Sequence, residues 1–202
     1  MGNVGLLVRL EAKRDQRDAT EELLTSALPL VQQEAGTTAW FALRFHRSEF
    51  GIFDAFPSDA ERDAHLNGAV ASALLSKADT LLDDPPSIQK VSILATKLPT
   101  GAPGEITKGL VLTFRAKSGH EADVEQFLLD AKPLVEAEPG TIAWFALSFG
   151  NGEYGIFDVF PDDGARFAHL TGQVPRQLAE HATTLLGSVP HLDLLDVLAT
   201  KL

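Results

Sequence analysis

Two histidines recur when the halves of the chain are compared, because His65 has a counterpart 104 residues later in His169. An imidazole titrates near neutral pH, so it can take a proton from a phenol or an anthrone. The anion formed is electron-rich enough to reduce O2 directly, which is how an oxygenase without a cofactor could work. Alternatively, each histidine lies on a helix over a sheet and bonds only to backbone.

Two aspartates recur at the same offset, Asp54 and Asp158, each within an apolar segment that is typical of a buried strand. A carboxylate in such a place is costly unless it is paired. The pattern therefore predicts a His–Asp pair in each half, in which the carboxylate orients the imidazole. The alternative is a structural aspartate at a strand end, paired with an arginine or a helix N-terminus.

An arginine precedes each recurring histidine by three residues, Arg62 before His65 and Arg166 before His169. Residues three apart share a helix face, so each arginine is predicted to help bind an enolate, phenolate or carboxylate. The alternative is an exposed arginine that pairs with nearby acids.

The two tryptophans also recur, and each is followed by a phenylalanine: Trp40 with Phe41, and Trp144 with Phe145. An aromatic-lined pocket would suit a planar aromatic ligand. Ordinary core packing is the alternative. Adjacent residues of a strand point to opposite faces, so one of each pair is expected to face the cavity, and the sequence leaves open which one.

These residues belong to a duplication in which residues 1–98 align with residues 105–202 without a gap, joined by the linker 99–104. Each half reads as β-α-β-β-α-β, the ferredoxin-like order. The predicted elements in the first half are a strand over 4–13, a helix over 18–34 interrupted at Pro29 and capped by Gly36, strands over 37–46 and 49–56, a helix from a capping box at Ser58–Glu61, a helix over 69–82 and a strand over 88–98. The fold class is therefore α+β with two tandem ferredoxin-like domains.

The second predicted strand is apolar on both faces, as residues 40–43 show. A sheet with one face in water would alternate. Helices are expected on one face and the other copy's sheet on the opposite face, which predicts an intramolecular pseudo-dimer with a barrel-like α/β form. Whether the fused chain dimerises again is left open.

The amino-acid composition restricts the classes of binding partner that are expected for this protein. The formal net charge is −11 and there is no cysteine. An acidic protein repels phosphate backbones and anionic lipid, so nucleic acid and membrane surfaces are not expected partners. No apolar run reaches the ~18 residues of a membrane span. Residues 1–5 lack a basic segment before an apolar one, so no signal peptide is predicted and a cytoplasmic location is expected.

The two halves share a further motif, in which an Asp-x-Phe segment ends the third strand and a histidine follows in the next helix. The segments are Asp54-Ala55-Phe56 with His65 and Asp158-Val159-Phe160 with His169. With units of about 100 residues, this pattern resembles the antibiotic biosynthesis monooxygenase family. The haem-degrading relatives of that superfamily use an asparagine that is not mirrored here, since Asn3 aligns with Thr107.

The resemblance implies a dimeric α/β barrel with a cavity between sheet and helices in each unit, and oxygenation of quinols or aromatic polyketides without metal or flavin. It therefore implies a cofactor-independent monooxygenase for a small quinol-like or polycyclic aromatic molecule. Two alternatives remain open: a non-catalytic small-molecule-binding or stress-associated protein, and an oxygen-independent isomerase or cyclase that uses the same histidine.

Overall fold

The computed structural model describes residues 3–202, so Met1 and Gly2, the first residues of the segment in which no signal peptide is predicted, lie outside the described residues. The strands are β1 (Val4–Glu11), β2 (Ala39–Arg44), β3 (Glu49–Phe56), β4 (Ser87–Lys97), β5 (Lys108–Arg115), β6 (Ala143–Gly150), β7 (Glu153–Phe160) and β8 (His191–Lys201). The helices are α1 (Arg17–Ser26), α2 (Leu28–Gln32), α3 (Asp59–Leu66), α4 (Ala69–Leu81), α5 (Glu121–Glu136), α6 (Asp163–Leu170) and α7 (Gln173–Leu185).

The chain divides into two compact units, in which the last strand of each sequence repeat is exchanged. Unit 1 comprises Met1–Val91 and Leu195–Leu202, and unit 2 comprises Ser92–Leu194. In unit 1 the end of β8 pairs antiparallel with β2, and in unit 2 the end of β4 pairs antiparallel with β6. The α+β class and the tandem ferredoxin-like arrangement are confirmed. The boundaries of the two sequence repeats, at residues 98 and 105, remain a prediction.

The strand order within each unit sets the place of the recurring aspartates. Unit 1 has the order β1-β3-β2-β8 and unit 2 the order β5-β7-β6-β4. The aspartates lie on β3 and β7, which have a neighbour on both sides. An inner strand buries both of its faces more completely than an edge strand, and both aspartates are indeed buried.

The predicted interruption at the proline occurs in one repeat only. In unit 1 the helix breaks at Ala27, and Pro29 lies in the first turn of α2, where a missing N–H costs no helical bond. In unit 2 α5 continues through Pro133. The prediction that Gly36 caps this helix is wrong, because α2 ends at a cap on Gln33. Instead, the side chain of Glu61 approaches the backbone closely at Gly36, since a Cβ there would lie 2.8 Å from Cγ of Glu61.

The hairpin and the helix starts follow the sequence closely. The turn between β6 and β7 takes positive φ at Gly150, Asn151 and Gly152, which glycine and asparagine tolerate best. The hydroxyl of Ser58 accepts from the amide of Ala60 at the start of α3. The carboxylate of Asp162 accepts from the amide of Ala165 at 2.8 Å at the start of α6. These caps fix where α3 and α6 begin.

The two faces of each sheet carry different aromatic residues. Trp40 belongs to the core cluster of unit 1 that the helices cover, together with Leu24 of α1 and Val70 of α4. Phe41 is also fully buried, but it points to the opposite face because it follows Trp40 in the strand.

No helix within residues 3–202 is long and apolar enough to cross a membrane.

Candidate active site

Each recurring aspartate lies on the helix-facing side of its sheet, beside a tryptophan. Asp158 pairs across the sheet with Leu110 on one side and with Trp144 on the other. Cross-strand neighbours share a face, so all three side chains project toward the helices. The carboxylate is completely buried. Asp54 has the same surroundings in unit 1, between Leu6 and Trp40.

Each recurring histidine lies in the last turn of a short helix and contacts two carboxylates. In unit 2, Nδ1 of His169 lies 2.6 Å from Oε2 of Glu138, and Nε2 lies 3.4 Å from Oδ2 of Asp158. In unit 1, His65 makes the same contacts with Glu34 at 2.6 Å and Asp54 at 3.5 Å. The predicted proximity of histidine and aspartate is thus present, but the short hydrogen bond goes to a glutamate.

The contact with Glu138 determines the tautomer of His169. An ionised carboxylate can only accept, so the proton of a neutral His169 lies on Nδ1. The lone pair of Nε2 then points toward Asp158. Glu138 orients the ring, and Asp158 lies at the end of the ring that can accept a further proton.

The glutamate is itself held by a threonine and a lysine. The hydroxyl of Thr141 donates to Oε2 of Glu138 at 2.8 Å. The ammonium of Lys97 on β4 donates to the backbone carbonyls of Val135 at 2.9 Å and Glu138 at 2.5 Å. In unit 1, Lys201 on β8 makes the corresponding bonds to the carbonyls of Val31 within α2 and of Glu34 just after it. A strand thus fixes the segment that follows the long helix and carries the glutamate.

Replacing Lys97 with methionine is expected to destabilise the protein by about 2 kcal/mol, because two carbonyls lose a charged donor. Urea unfolding at pH 7 measures the change. Lys132→Met is the control, since Lys132 pairs with Glu136 of its own helix, α5. An equal effect of the two substitutions would show that the bonds made by Lys97 contribute no special stability.

The surroundings shift the pKa of these groups. Burial raises the pKa of Asp158 to about 7, against the opposing effect of His169. The pKa of Asp54 is likewise raised to about 7 by burial. Burial alone would lower the pKa of His169, but Asp158 and Glu138 outweigh it and raise the value. Both members of the carboxylate–imidazole pair in unit 2 therefore hold their protons to a higher pH than they would in water.

Several buried polar atoms beside the histidine have no hydrogen-bond partner among residues 3–202. They are both carboxylate oxygens of Asp158, Oδ1 of Asp54, and Nε1 of Trp40 and Trp144. Buried polar groups are nearly always satisfied, so such a cluster calls for an explanation. A hydroxyl-bearing ligand beside Asp158 could donate to its carboxylate.

A cavity of about 360 Å³ in unit 2 reaches this cluster. Its wall has twelve apolar side chains, mainly from β5 and α7, and two polar ones, Asp158 and His169. Small-molecule sites have this character, an apolar enclosure with a few polar groups that fix orientation. The cavity lies between sheet and helices, where the family resemblance implied one.

The corresponding residues of unit 1 differ from this wall at several positions. Three positions are partly exposed in unit 2 and buried in unit 1: Leu112, Ala182 and Leu186, against Val8, Ala78 and Leu82. Another wall residue, Ala179, has the larger Leu75 as its counterpart. The cavity wall is therefore more open to solvent at these three positions of unit 2, although His169 and Asp158 are as deeply buried as His65 and Asp54.

The other predicted binding residues lie elsewhere. Arg62 pairs with Asp59 at the start of α3, and Arg166 pairs with Asp163 and donates to the carbonyl of Gly109. Arg166 is absent from the wall of the unit 2 cavity. The pairing with nearby acids matches the alternative, but the arginines are not exposed as that alternative expects, since Arg62 is buried.

The aromatic residues divide by face. Trp144 lies on the same side as Asp158, one layer beneath the cavity wall. Phe145 points to the opposite face, where it contacts Phe157 with ring centroids 6.0 Å apart. Phe41 lies likewise against Phe53. The tryptophans rather than the phenylalanines therefore neighbour the histidine–aspartate pairs.

The sequence analysis missed Glu34 and Glu138, although a signal for them exists. They are separated by the same 104 residues, and each is followed three residues later by a recurring threonine. A polar pair retained in both halves of a duplication is the feature that could have identified them. Lys97 and Lys201 recur as well, within the segment that ends each half.

Comparison with known proteins places the fold. No protein-family model and no curated protein matches the chain. A structure from Fusobacterium nucleatum, provisionally named a monooxygenase, is 11% identical over 99% of this chain and 94% of that chain, with a TM-score of 0.87. An anthrone oxidase-like protein is 11% identical over 100% of this chain and 93% of that chain, with a TM-score of 0.66. A protein of unknown function from Nitrosomonas europaea is 57% identical over 50% of this chain and 98% of that chain, with a TM-score of 0.49.

The full-length likenesses establish the architecture. They include a ferredoxin-fold protein from Listeria monocytogenes that is related to antibiotic biosynthesis monooxygenases, with 8% identity and a TM-score of 0.56 over 98% of this chain and 95% of that chain. The chain thus has the same tandem ferredoxin-like fold as these proteins. One fold hosts many activities, so the chemistry has to be argued from the site.

Proposed function

We propose that unit 2 oxidises a phenolic aromatic molecule, a quinol or an anthrone, with O2 as the oxidant and no cofactor. The observation that carries this proposal is the chain of contacts Glu138–His169–Asp158, which ends at the floor of an apolar cavity. An imidazole base at the wall of an apolar cavity suits the formation of a carbanion or phenolate.

The first step is a proton transfer. Nε2 of His169 takes the proton from the substrate, and the substrate becomes an enolate or phenolate. The imidazolium formed lies between two carboxyl groups, Glu138 at Nδ1 and Asp158 near Nε2. These groups raise the pKa of His169 against the effect of burial, and so they favour the protonated ring after the transfer.

The second step uses the anion as the reductant. For an anthrone, one electron passes to O2, and the carbon radical and superoxide combine into a peroxide anion that takes the proton from His169. Loss of the second C–H proton then breaks the O–O bond. The CH2 group and O2 become a C=O group and water, so atoms and electrons balance without an added reductant.

Two further observations support the substrate class. The apolar wall fits a planar ring system, and the carboxylate oxygens of Asp158, which have no hydrogen-bond partner among residues 3–202, fit a hydroxyl group. One protein of similar fold is named anthrone oxidase-like. An anthrone or a naphthalene-type quinol is therefore the first substrate to test.

The test is O2 consumption by the full chain over a panel of anthrones, quinols and naphthols. It is run beside a His65→Ala/His169→Ala double variant whose fold is checked by circular dichroism. Uptake above background that is lost in the double variant supports the proposal. Turnover under argon would replace it with the oxygen-independent isomerase or cyclase, and tight binding without any turnover would replace it with a binding protein.

Replacing Glu138 with glutamine is expected to reduce turnover about tenfold and to move the acidic limb of the pH–rate profile, where the base His169 becomes protonated, to lower pH. The amide keeps the shape of the side chain but removes a charge that raises the pKa of His169. Rates measured from pH 5 to 9 check this. Glu34→Gln is the matched control in unit 1, and an unshifted profile in Glu138→Gln would contradict the positioning role of Glu138.

A further inference from the structure

A polar pair on the surface of unit 1 is replaced by an apolar pair in unit 2. In unit 1, Lys90 of β4 and Asp63 of α3 form an ion pair with a distance of 3.3 Å. At the offset of 104, their counterparts are Leu194 and Phe167. Both are exposed, and Phe167 has 68% of its surface in contact with solvent.

These exposed residues adjoin the cavity wall. Phe167 precedes the wall residue Leu170 by three positions on α6, and such neighbours share a helix face. Leu194 follows the wall residue Leu192 by two positions on β8, and such neighbours share a sheet face. Leu192 is both a residue of the cavity wall and an exposed apolar residue, because it lines the cavity and is itself 42% exposed.

The apolar surface extends at one further point. Val189, which is 91% exposed, directly precedes the wall residue Pro190. We call Phe167, Val189, Leu192 and Leu194 the apron. Exposed apolar residues that form one group beside a site mark a binding surface, whereas scattered ones do not. The apron therefore continues the apolar wall of the cavity onto the surface of unit 2.

We infer that the apron binds a hydrophobic extension of the ligand whose aromatic ring occupies the unit 2 cavity. This inference rests on the proposed function for the ring and adds that the substrate carries an alkyl or prenyl-like chain, or further rings. Continuity with the cavity favours this occupant, because one side chain, Leu192, would contact both parts of such a ligand. Burial of each CH2 group of a chain against the apron favours binding.

The test transfers the ion pair of unit 1 into unit 2. The variant Phe167→Asp/Leu194→Lys places at the apron a pair that the equivalent positions of unit 1 already accommodate. The reverse variant, Asp63→Phe/Lys90→Leu, is the matched control. Binding of 2-naphthol and of 6-heptyl-2-naphthol is followed by their fluorescence, which requires no turnover and no O2.

For the unchanged protein we expect the heptyl compound to bind at least 30-fold more tightly than 2-naphthol. In Phe167→Asp/Leu194→Lys this ratio is expected to fall about tenfold, and in the control variant it is expected to stay the same. Equal ratios in all three proteins would overturn the inference, and so would failure of the heptyl compound to bind. Naphthol binding without O2 uptake would reject the proposed reaction while leaving the apron in place.

A second copy of the chain is the competing occupant of the apron. Light scattering coupled to size-exclusion chromatography measures the mass of each variant. A dimer that dissociates in Phe167→Asp/Leu194→Lys, with an unchanged binding ratio, would assign the apron to self-association and overturn the inference. Circular dichroism and thermal unfolding confirm that both variants are folded before they are compared.

Discussion

The substitution His169→Ala is expected to reduce O2-dependent turnover at least 100-fold, whereas His65→Ala is expected to retain most of it. General acid–base catalysis contributes about 10²–10⁴-fold, and His169 is the base that reaches the cavity. His65 has the same two carboxylates at nearly the same distances, so the comparison isolates access to the cavity from the contacts of the ring. Initial rates of O2 uptake at a saturating anthrone concentration measure both effects.

The control for this pair is structural integrity, since both imidazoles are buried against carboxylates. Each variant is compared with the unchanged protein by circular dichroism and urea unfolding, and similar losses of stability are expected in the two. If His65→Ala abolishes turnover and His169→Ala does not, unit 1 is the working half. Equal losses would mean that both units carry out the reaction.

Asp158→Asn is expected to stabilise the protein by about 2 kcal/mol at pH 8.5 and to have little effect at pH 4.5. Asp158 has a raised pKa of about 7 in the folded protein, caused mainly by burial. The folded state therefore holds a proton that the unfolded chain has already lost above about pH 4. Between these values stability falls as the pH rises, and the neutral amide does not lose stability in this way.

His169 contributes in the same direction. Its raised pKa gives stability that is complete below the unfolded pKa and is lost as the pH rises through the folded one. In Asp158→Asn the carboxylate that raises this pKa is absent, so the variant should show a flatter dependence of unfolding free energy on pH. Urea unfolding at four pH values between 4.5 and 8.5 measures the slope.

Two comparisons make this result decisive. Asp54→Asn should behave like Asp158→Asn, because burial raises the pKa of both carboxyls to about 7. Asp79→Asn, an exposed residue of α4, should leave the slope unchanged. A steeper slope in Asp158→Asn would mean that the buried carboxylate is stabilised by His169 at high pH rather than destabilised by burial.

The local structure was largely determined by the sequence. Period-2 and helical patterns predicted the strands and helices, because side-chain burial on one face follows the local backbone repeat. The Gly150-Asn151-Gly152 turn and the Asp162 cap followed from residues that favour particular backbone conformations. Duplication added a further signal, since His169, Asp158 and Trp144 each have an identical residue at the matching position of the other half.

The partners of those residues were decided by the tertiary structure. Glu138 lies 31 positions before His169, and its contact depends on how the end of α5 packs against α6. The pairing of β4 with β6 brings Lys97 to that same segment, and periodicity carries no information about which strand pairs with which. The helix prediction failed at Gly36 for the same reason, because the close approach of Glu61 comes from α3 and leaves no local pattern.

The difference between the two units was also decided by the tertiary structure. The sequence showed Phe167 and Leu194 in place of Asp63 and Lys90, but it did not show that these positions adjoin a cavity. The cavity exists because side chains from β5, β7 and α7 leave space above Asp158. The volume of a cavity and the access to it depend on many contacts between residues that are distant in the sequence. The chemical identity of a base and of its carboxylate can be read from the sequence directly.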